Sequence, residues 1–383
     1  MHRPARERRT PRRMLATLTA LAIAAGAVGL DIAAESPAAA SVVVNGKIAF
    51  GRWNAELDDS QVFTINPDGT GEQMLPTPFG AGSPRWSPDG TKISVELWLD
   101  GVRSAVMNPD GSGLKMLDPS PALELTCQAW SPDGKRLACA GFGGDPAVVD
   151  GVYTIRAKDG GDLKQITTFP NGTPDGQFTN DIPIGYSSDG SRILFDRNAD
   201  NDLGDLFVVN TDGSNLTQLN PDDLIIGSGS GASWSPDGTR VAFAAFWKLS
   251  SARGSGSALF VVNADGKGLR QITPSGLGAS APRWSPDGQL IAFNDKRRGD
   301  RQIYLVHPDG TGLTGLTTGN NDTSFHPVWS PDGTKLVFER VHSVNGSDQE
   351  DLWMMNADGS GLFQLTDTPE SEGSQEWGAS PVS

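Results

Sequence analysis

The chain has 383 residues, with 31 Lys and Arg against 46 Asp and Glu, a formal net charge of −15. A surface this acidic argues against nucleic acid or an anionic membrane as partner, and favours solubility or cationic partners. No stretch after residue 40 shows helical periodicity and no Pro/Ser linker divides the chain, so a single domain follows the leader.

Residues 1–13 carry six Arg against one Glu, residues 14–30 are uncharged, and Ala38-Ala-Ala40 supplies a small-residue cleavage site before Ser41. This is the pattern of a secretory signal peptide over residues 1–40. Its removal leaves a net charge of −18 on residues 41–383. An extracytoplasmic destination follows, secreted or in the cell envelope, with no membrane insertion after cleavage.

Residues 45–50, Asn-Gly-Lys-Ile-Ala-Phe, read as a first strand, and a turn motif then begins to recur. Trp-Ser-Pro-Asp-Gly starts at Trp86, Trp130, Trp234, Trp284 and Trp329, a variant starts at Tyr186, and a worn copy starts at Trp377, with spacings of 44 to 56 residues. Pro presets φ, Asp bonds nearby backbone and Gly accepts positive φ, so each copy predicts a tight turn. A short apolar run follows each of the first six, such as Arg240-Val-Ala-Phe243. A second Asp-Gly turn occurs in every unit, at Asp68, Asp110, Asp159, Asp212, Asp265, Asp309 and Asp358, with a strand-like run before it and a Leu-x-x-Leu/Ile-Thr segment after it. Each unit is thus four short antiparallel strands, A (ending in the Trp), B, C and D.

Seven such units predict an all-β, seven-bladed propeller. The chain opens on a strand B without a strand A and closes on Gln375-Glu-Trp377, a strand A without a strand B. The two complete each other, so blade 1 takes strands B, C and D from the N-terminal side and strand A from the C-terminal side, which removes the free sheet edges. The A–B and C–D turns leave one face of the disc. The B–C and D–A loops leave the other and vary widely, as a recognition surface does.

The turn from Trp284, the Ile-Ala-Phe strand after it and the run Asp309-Gly-x-x-Leu-x-x-Leu-Thr317 resemble the TolB-like propellers, a WD40-like class also written PD40. The resemblance covers nearly all of residues 45–377. It implies the fold and leaves function open, since similar repeats occur in the periplasmic TolB of the Tol-Pal system, in propeller domains of prolyl-oligopeptidase-like peptidases and in some pectate-oligomer lyases. Seven blades are counted here where TolB has six, and no α/β segment stands before the repeats.

Enzyme chemistry finds little support in the residues. No Gly-x-Ser-x-Gly elbow is present. Of His307, His326 and His342 only His326 falls on an inner strand, and one His makes no metal site. Gly310-Thr-Gly-Leu-Thr-Gly315 spells a dinucleotide fingerprint in a C–D turn, where no helix follows. The run Asp196, Asn198, Asp200, Asp202, Asp205 has the alternating oxygens of a calcium loop, with a solvated hairpin loop as the alternative; no other cofactor is expected.

Two further features concern sites. With Trp130 opposite Arg136, Cys127 lies opposite Cys139 within disulfide reach, whereas a one-residue change of register leaves two separate thiols. Three residues beyond the end of strand B stand Trp53, Trp98, Phe142 and Phe246, the last beside Trp247, where the other blades have Asn198, Lys296 and Val341. With His326 these are the candidate ligand-binding residues, able to stack on sugars or anchor a partner's apolar side chains. The expectation is a monomeric, non-catalytic scaffold binding an envelope or extracellular protein or a glycan. The alternative is a polysaccharide-active enzyme working in the central channel.

Overall fold

The recurring turn is built by its Ser and Asp. Ser87 Oγ donates to the Asp89 carboxylate at 2.6 Å and accepts the Lys92 N–H at 2.9 Å, while the Gly90 N–H returns to the Ser87 carbonyl at 2.9 Å with φ at 67°. The Ser–Asp bond recurs at Ser131, Ser187, Ser235, Ser285 and Ser330. The variant turn after Tyr186 keeps it, so neither Trp nor Pro is needed for the turn itself. In two turns the hydroxyl and amide donors hold Asp189 and Asp237 down to about 2.

The computed structural model describes residues 44–381 apart from 118, 120–122, 144–149, 169–178, 200–202, 228–230, 249–255, 296–300, 319–321 and 345–346. All belong to one unit, Val42–Ser383, and the expected leader at 1–40 lies outside them. Among the described residues every regular element is a strand.

The described strands form five four-stranded antiparallel sheets and one nine-stranded sheet that an extra strand makes of two further blades, seven blades together. Blade 1 orders Glu372–Ala379, Asn45–Asn54, Asp59–Ile65 and Gln73–Met74 from the inside outward. Blades 2 to 7 begin on their A strands Gly80–Trp86, Leu123–Trp130, Thr179–Tyr186, Ala232–Trp234, Ser280–Trp284 and Thr323–Trp329. Each A strand contacts the A strands of its two neighbours, and that of blade 7 contacts Glu372–Ala379, so the inner strands form a ring. The closing strand pairs Ile48 with Trp377 and Asn45 with Ala379. The expected closure is therefore present.

The core lies between blades. Ile48, Phe50 and Ile65 of blade 1 pack with Val337, Leu352 and Met354 of blade 7, and the other apolar clusters likewise draw mainly on adjacent sheets. Within a blade the B-strand Phe stacks on the C-strand aromatic, as Phe50 on Phe63 and Phe243 on Phe260. In blades 1, 4 and 7 an Arg two residues on covers aromatic rings and pairs with a carboxylate: Arg52 with Glu372, Arg197 with Asp181, Arg340 with Asp322.

Three details depart from the sequence reading. Trp130 stands opposite Leu137, not Arg136, and a bulge at Gln128 restores the alignment, so that Cys127 still faces Cys139. The disulfide forms, with Cα atoms 4.0 Å apart. Residues 196–199 are strand rather than loop, paired with Leu203–Asn210, because the ladder continues past the ring's apolar core. Within the D–A connection of blades 4 and 5, Leu224–Gly227 forms an extra strand that pairs with Leu203 and Gly204 on one side and Phe246 and Trp247 on the other, joining two blades into one nine-stranded sheet.

Bulges like the one at Gln128 recur in five of the six other A strands. In five blades the residue three before the Trp has positive φ: Ser83, Gly231, Ala281, His326 and Ser374, between 50° and 75°. Four of the five are not glycine, which makes this a costly conformation held by its surroundings.

Candidate functional site

On the face of the B–C and D–A connections the channel opens into a cavity of about 570 Å³ walled by blades 1, 2, 6 and 7. Trp53 and Trp98 are both on its wall, 43% and 38% exposed. Trp98 reaches it by lying across strand A of its own blade, over Gly82, where a Cβ would come within 2.6 Å of the indole. His326 also lines the cavity, with Nδ1 2.7 Å from Glu339.

Charged groups complete the wall. Glu339 accepts the Ser374 N–H of the neighbouring blade at 3.0 Å as well as facing His326. Glu372 is buried and takes hydrogen bonds from Arg52, Thr366 and Thr368 at 2.6, 2.6 and 2.5 Å, yet burial still raises its carboxyl above the ordinary value. Burial, with Glu339 adding, also raises Glu350. Arg283 opens to channel water but is enclosed by the ring, and that enclosure lowers its pKa against the pull of Glu376. Arg85 lies on the same wall. These side chains were not singled out in the sequence. Arg85, Arg283 and Glu376 share one signal, the position immediately before the Trp, which lines the cavity in blades 1, 2, 6 and 7.

The remaining candidates lie elsewhere. Phe142, Phe246 and Trp247 do not line this cavity. Trp247 packs edge-on against Phe260, and Phe246 pairs with Ile225 of the extra strand. Of these candidate aromatics, Trp53 and Trp98 share the cavity.

Of the proposed calcium ligands, the three described ones, Asp196, Asn198 and Asp205, do not converge. Asp200 and Asp202 lie outside the described residues. Asp205 stands opposite Arg197 in the ladder, on the other face of the sheet from Asp196 and Asn198, and its carboxylate takes a hydrogen bond from Asn220 at 2.8 Å. Paired strands alternate faces where a calcium loop would wrap one point. Asp196 Oδ1 and Asn198 Oδ1 are buried without hydrogen-bond partners above Gly204, and burial, with Asp205 and Asp181 adding, pushes Asp196 up to about 7. Among the described residues no three His, Cys, Asp or Glu side chains are grouped to hold a metal ion.

Comparison with known proteins places the fold. The family description "TolB beta propeller domain" matches residues 225–378. A "Protein TolB homolog" of Chlorobium luteolum is 33% identical over 149 residues, 39% of this chain and 31% of that protein. A "Tol-Pal system protein TolB" of Anaeromyxobacter dehalogenans is 33% identical over 97 residues, 25% of this chain and 21% of that protein. The chain thus spans a third or less of the length of these relatives. Among solved structures, an oligogalacturonate lyase from Vibrio parahaemolyticus superposes with a TM-score of 0.56 at 14% identity, over 73% of this chain and 80% of that one, a likeness of fold alone. With its seven repeated turns, its four-stranded blades and these relatives, the chain is similar to the TolB-like, PD40-repeat β-propellers, whose family description matches residues 225–378.

Proposed function

We propose that this propeller is an extracytoplasmic binding module that seats an extended segment of an envelope protein, or a glycan chain, in its channel mouth without chemistry of its own. The observation that carries this reading is the placement of Trp53 and Trp98, both partly exposed, on the wall of one cavity. Aromatic faces beside a concave, polar-lined opening give a ligand apolar anchorage while the carboxylates and guanidinium groups fix its orientation. Relatives named as TolB and as a Tol-Pal system protein, together with the leader-like residues 1–40, support an envelope location.

A second reading has its own observation. Glu339, Glu350, Glu372 and Glu376 share the cavity with Arg85 and Arg283, and a half-buried carboxyl raised as Glu350 is suits general-acid work on a polysaccharide. One experiment separates the two. Wild-type protein and the double variant Trp53→Ala/Trp98→Ala are immobilised and exposed to envelope and secreted fractions of the producing organism, and both are assayed against a panel of oligosaccharides. Binding lost in the double variant, with the glycans intact, supports the binding module. Glycan cleavage abolished by Glu350→Gln replaces it with the enzyme, and undiminished binding by a folded double variant removes the aromatic pair from the site.

A further inference from the structure

On the opposite face, among the tight turns, one blade junction is left open. A side-chain carbon placed on the turn glycines Gly190, Gly288 and Gly333 would meet the turn proline of the preceding blade (Pro132, Pro236 and Pro286) at 3.5, 3.6 and 3.4 Å. Gly134 of blade 3 should rest on Pro88 of blade 2 in the same way, yet nothing lies within 4 Å of that position. The gap is a cavity of about 460 Å³ floored by Val106, Met107, Trp130 and Ala157. Its rim carries five cations, Lys92, Lys115, Lys135, Arg156 and Lys158.

This cluster sits in a chain whose net charge is −15. Arg156 is paired with Asp159 at 2.6 Å and Lys135 with Asp133 at 3.2 Å, while Lys92 donates only to the neutral Asn108. Lys115 and Lys158 make no ion pair among the described residues, and although Asp159 also acts on Lys115 and Asp110 on Lys92, the five cations outnumber the three carboxylates Asp110, Asp133 and Asp159. In an acidic chain this rim makes a positively charged opening above an apolar floor. A pocket of this volume lies within the range of roughly 300–1,000 Å³ that small ligands occupy.

We propose that the gap between blades 2 and 3 is a binding site for a small anionic amphiphile, with an acyl or aromatic body against Trp130 and Val106 and its carboxylate, sulfonate or phosphate among Lys115, Lys158 and Lys92. The site is independent of the channel mouth. Unpaired lysines at the rim gain a counter-ion on binding, and the lysine stems extend the apolar wall. Charge selects the head group and the open blade junction admits the tail.

The test uses the fluorescent sulfonate 1-anilinonaphthalene-8-sulfonate with the full chain. Saturable binding at one site is expected, weakened at least tenfold by Lys115→Glu/Lys158→Glu, about threefold by Lys158→Gln alone, and not at all by Trp53→Ala/Trp98→Ala. Decanoate should displace the dye where decanol at the same concentration does not. Wild-type dye affinity in a double-Glu variant that melts as the parent does, or equal displacement by decanol, overturns the proposal. So does a dimer in sedimentation that the double-Glu variant dissociates, which would assign the gap to a second copy of the chain.

Discussion

His326 Nδ1 lies 2.7 Å from the Glu339 carboxylate, and that carboxylate also accepts the Ser374 N–H at 3.0 Å. His326 and Ser374 hold the same left-handed bulge position in adjacent inner strands, with φ of 51° and 56°. One buried Glu therefore ties together two strained turns at the seam where blade 7 meets the closing strand. Asn294 does the same one blade earlier, accepting the His326 N–H at 3.3 Å.

Glu339→Ala leaves the Ser374 amide without its acceptor at a buried seam. The expected loss is about 1–3 kcal/mol of unfolding free energy. Glu339→Gln keeps an acceptor oxygen and should lose less. Denaturant titration of both variants checks the order, and equal losses would show that charge rather than the amide bond is what Glu339 supplies.

The Cys127–Cys139 bridge closes a loop with a sequence separation of 12. Closing a loop of that length stabilises by about 2–3 kcal/mol. Cys127→Ala/Cys139→Ala should fall by that amount, and the unreduced parent should weigh two protons less than its reduced form. Free-thiol titration of the unreduced parent giving two thiols would refute the bond.

Asp196 has a pH signature. Its folded carboxyl sits at about 7, raised first by burial, above the value of 3.8 for a free aspartate. The folded state therefore holds the proton more tightly than the unfolded state, so the stability this group contributes is complete below about 3.8 and is lost as pH rises through 7. Asp196→Asn should flatten the fall in melting temperature between pH 5 and 8. A parallel fall in parent and variant would place the titrating group elsewhere.

Deleting residues 372–383 removes the closing strand with Glu372, the partner of Arg52 at 2.6 Å, and Trp377, the partner of Ile48. Two sheet edges and a buried Arg would be exposed at once. The truncated chain should unfold without a single cooperative transition or aggregate, and a calorimetric trace unchanged from the parent would reject the closure.

Much of this fold can be read from side chains that act locally. Ser87 and Asp89 bond within a five-residue stretch, so their chemistry shows wherever the motif recurs, even at Tyr186 where two of its letters change. The bulge at Gln128 cannot be read so, because the extra residue is fixed by pairing with a distant strand and carries no side-chain mark. Of the five left-handed bulge residues, only Gly231 advertises itself. The extra strand Leu224–Gly227 was hidden for another reason: its apolar run follows Asp222 and Asp223 in a stretch whose length suggested a loop. The channel residues fall between. Arg85 and Arg283 repeat one position, whereas Glu350 reaches the same cavity from strand C and becomes a neighbour only when the ring closes.

The pairing of Asn45 with Ala379 bears on where the chain can be cut and rejoined. Since the first and last described strands are neighbours in one sheet, a short peptide could join them while a new opening is made on an exposed loop between two other blades. Such a circular permutant would keep every inter-strand bond and move the seam. If it folded with the parent's melting behaviour, chain order around the disc would be shown to be interchangeable, and the present seam would be one of seven equivalent places to begin.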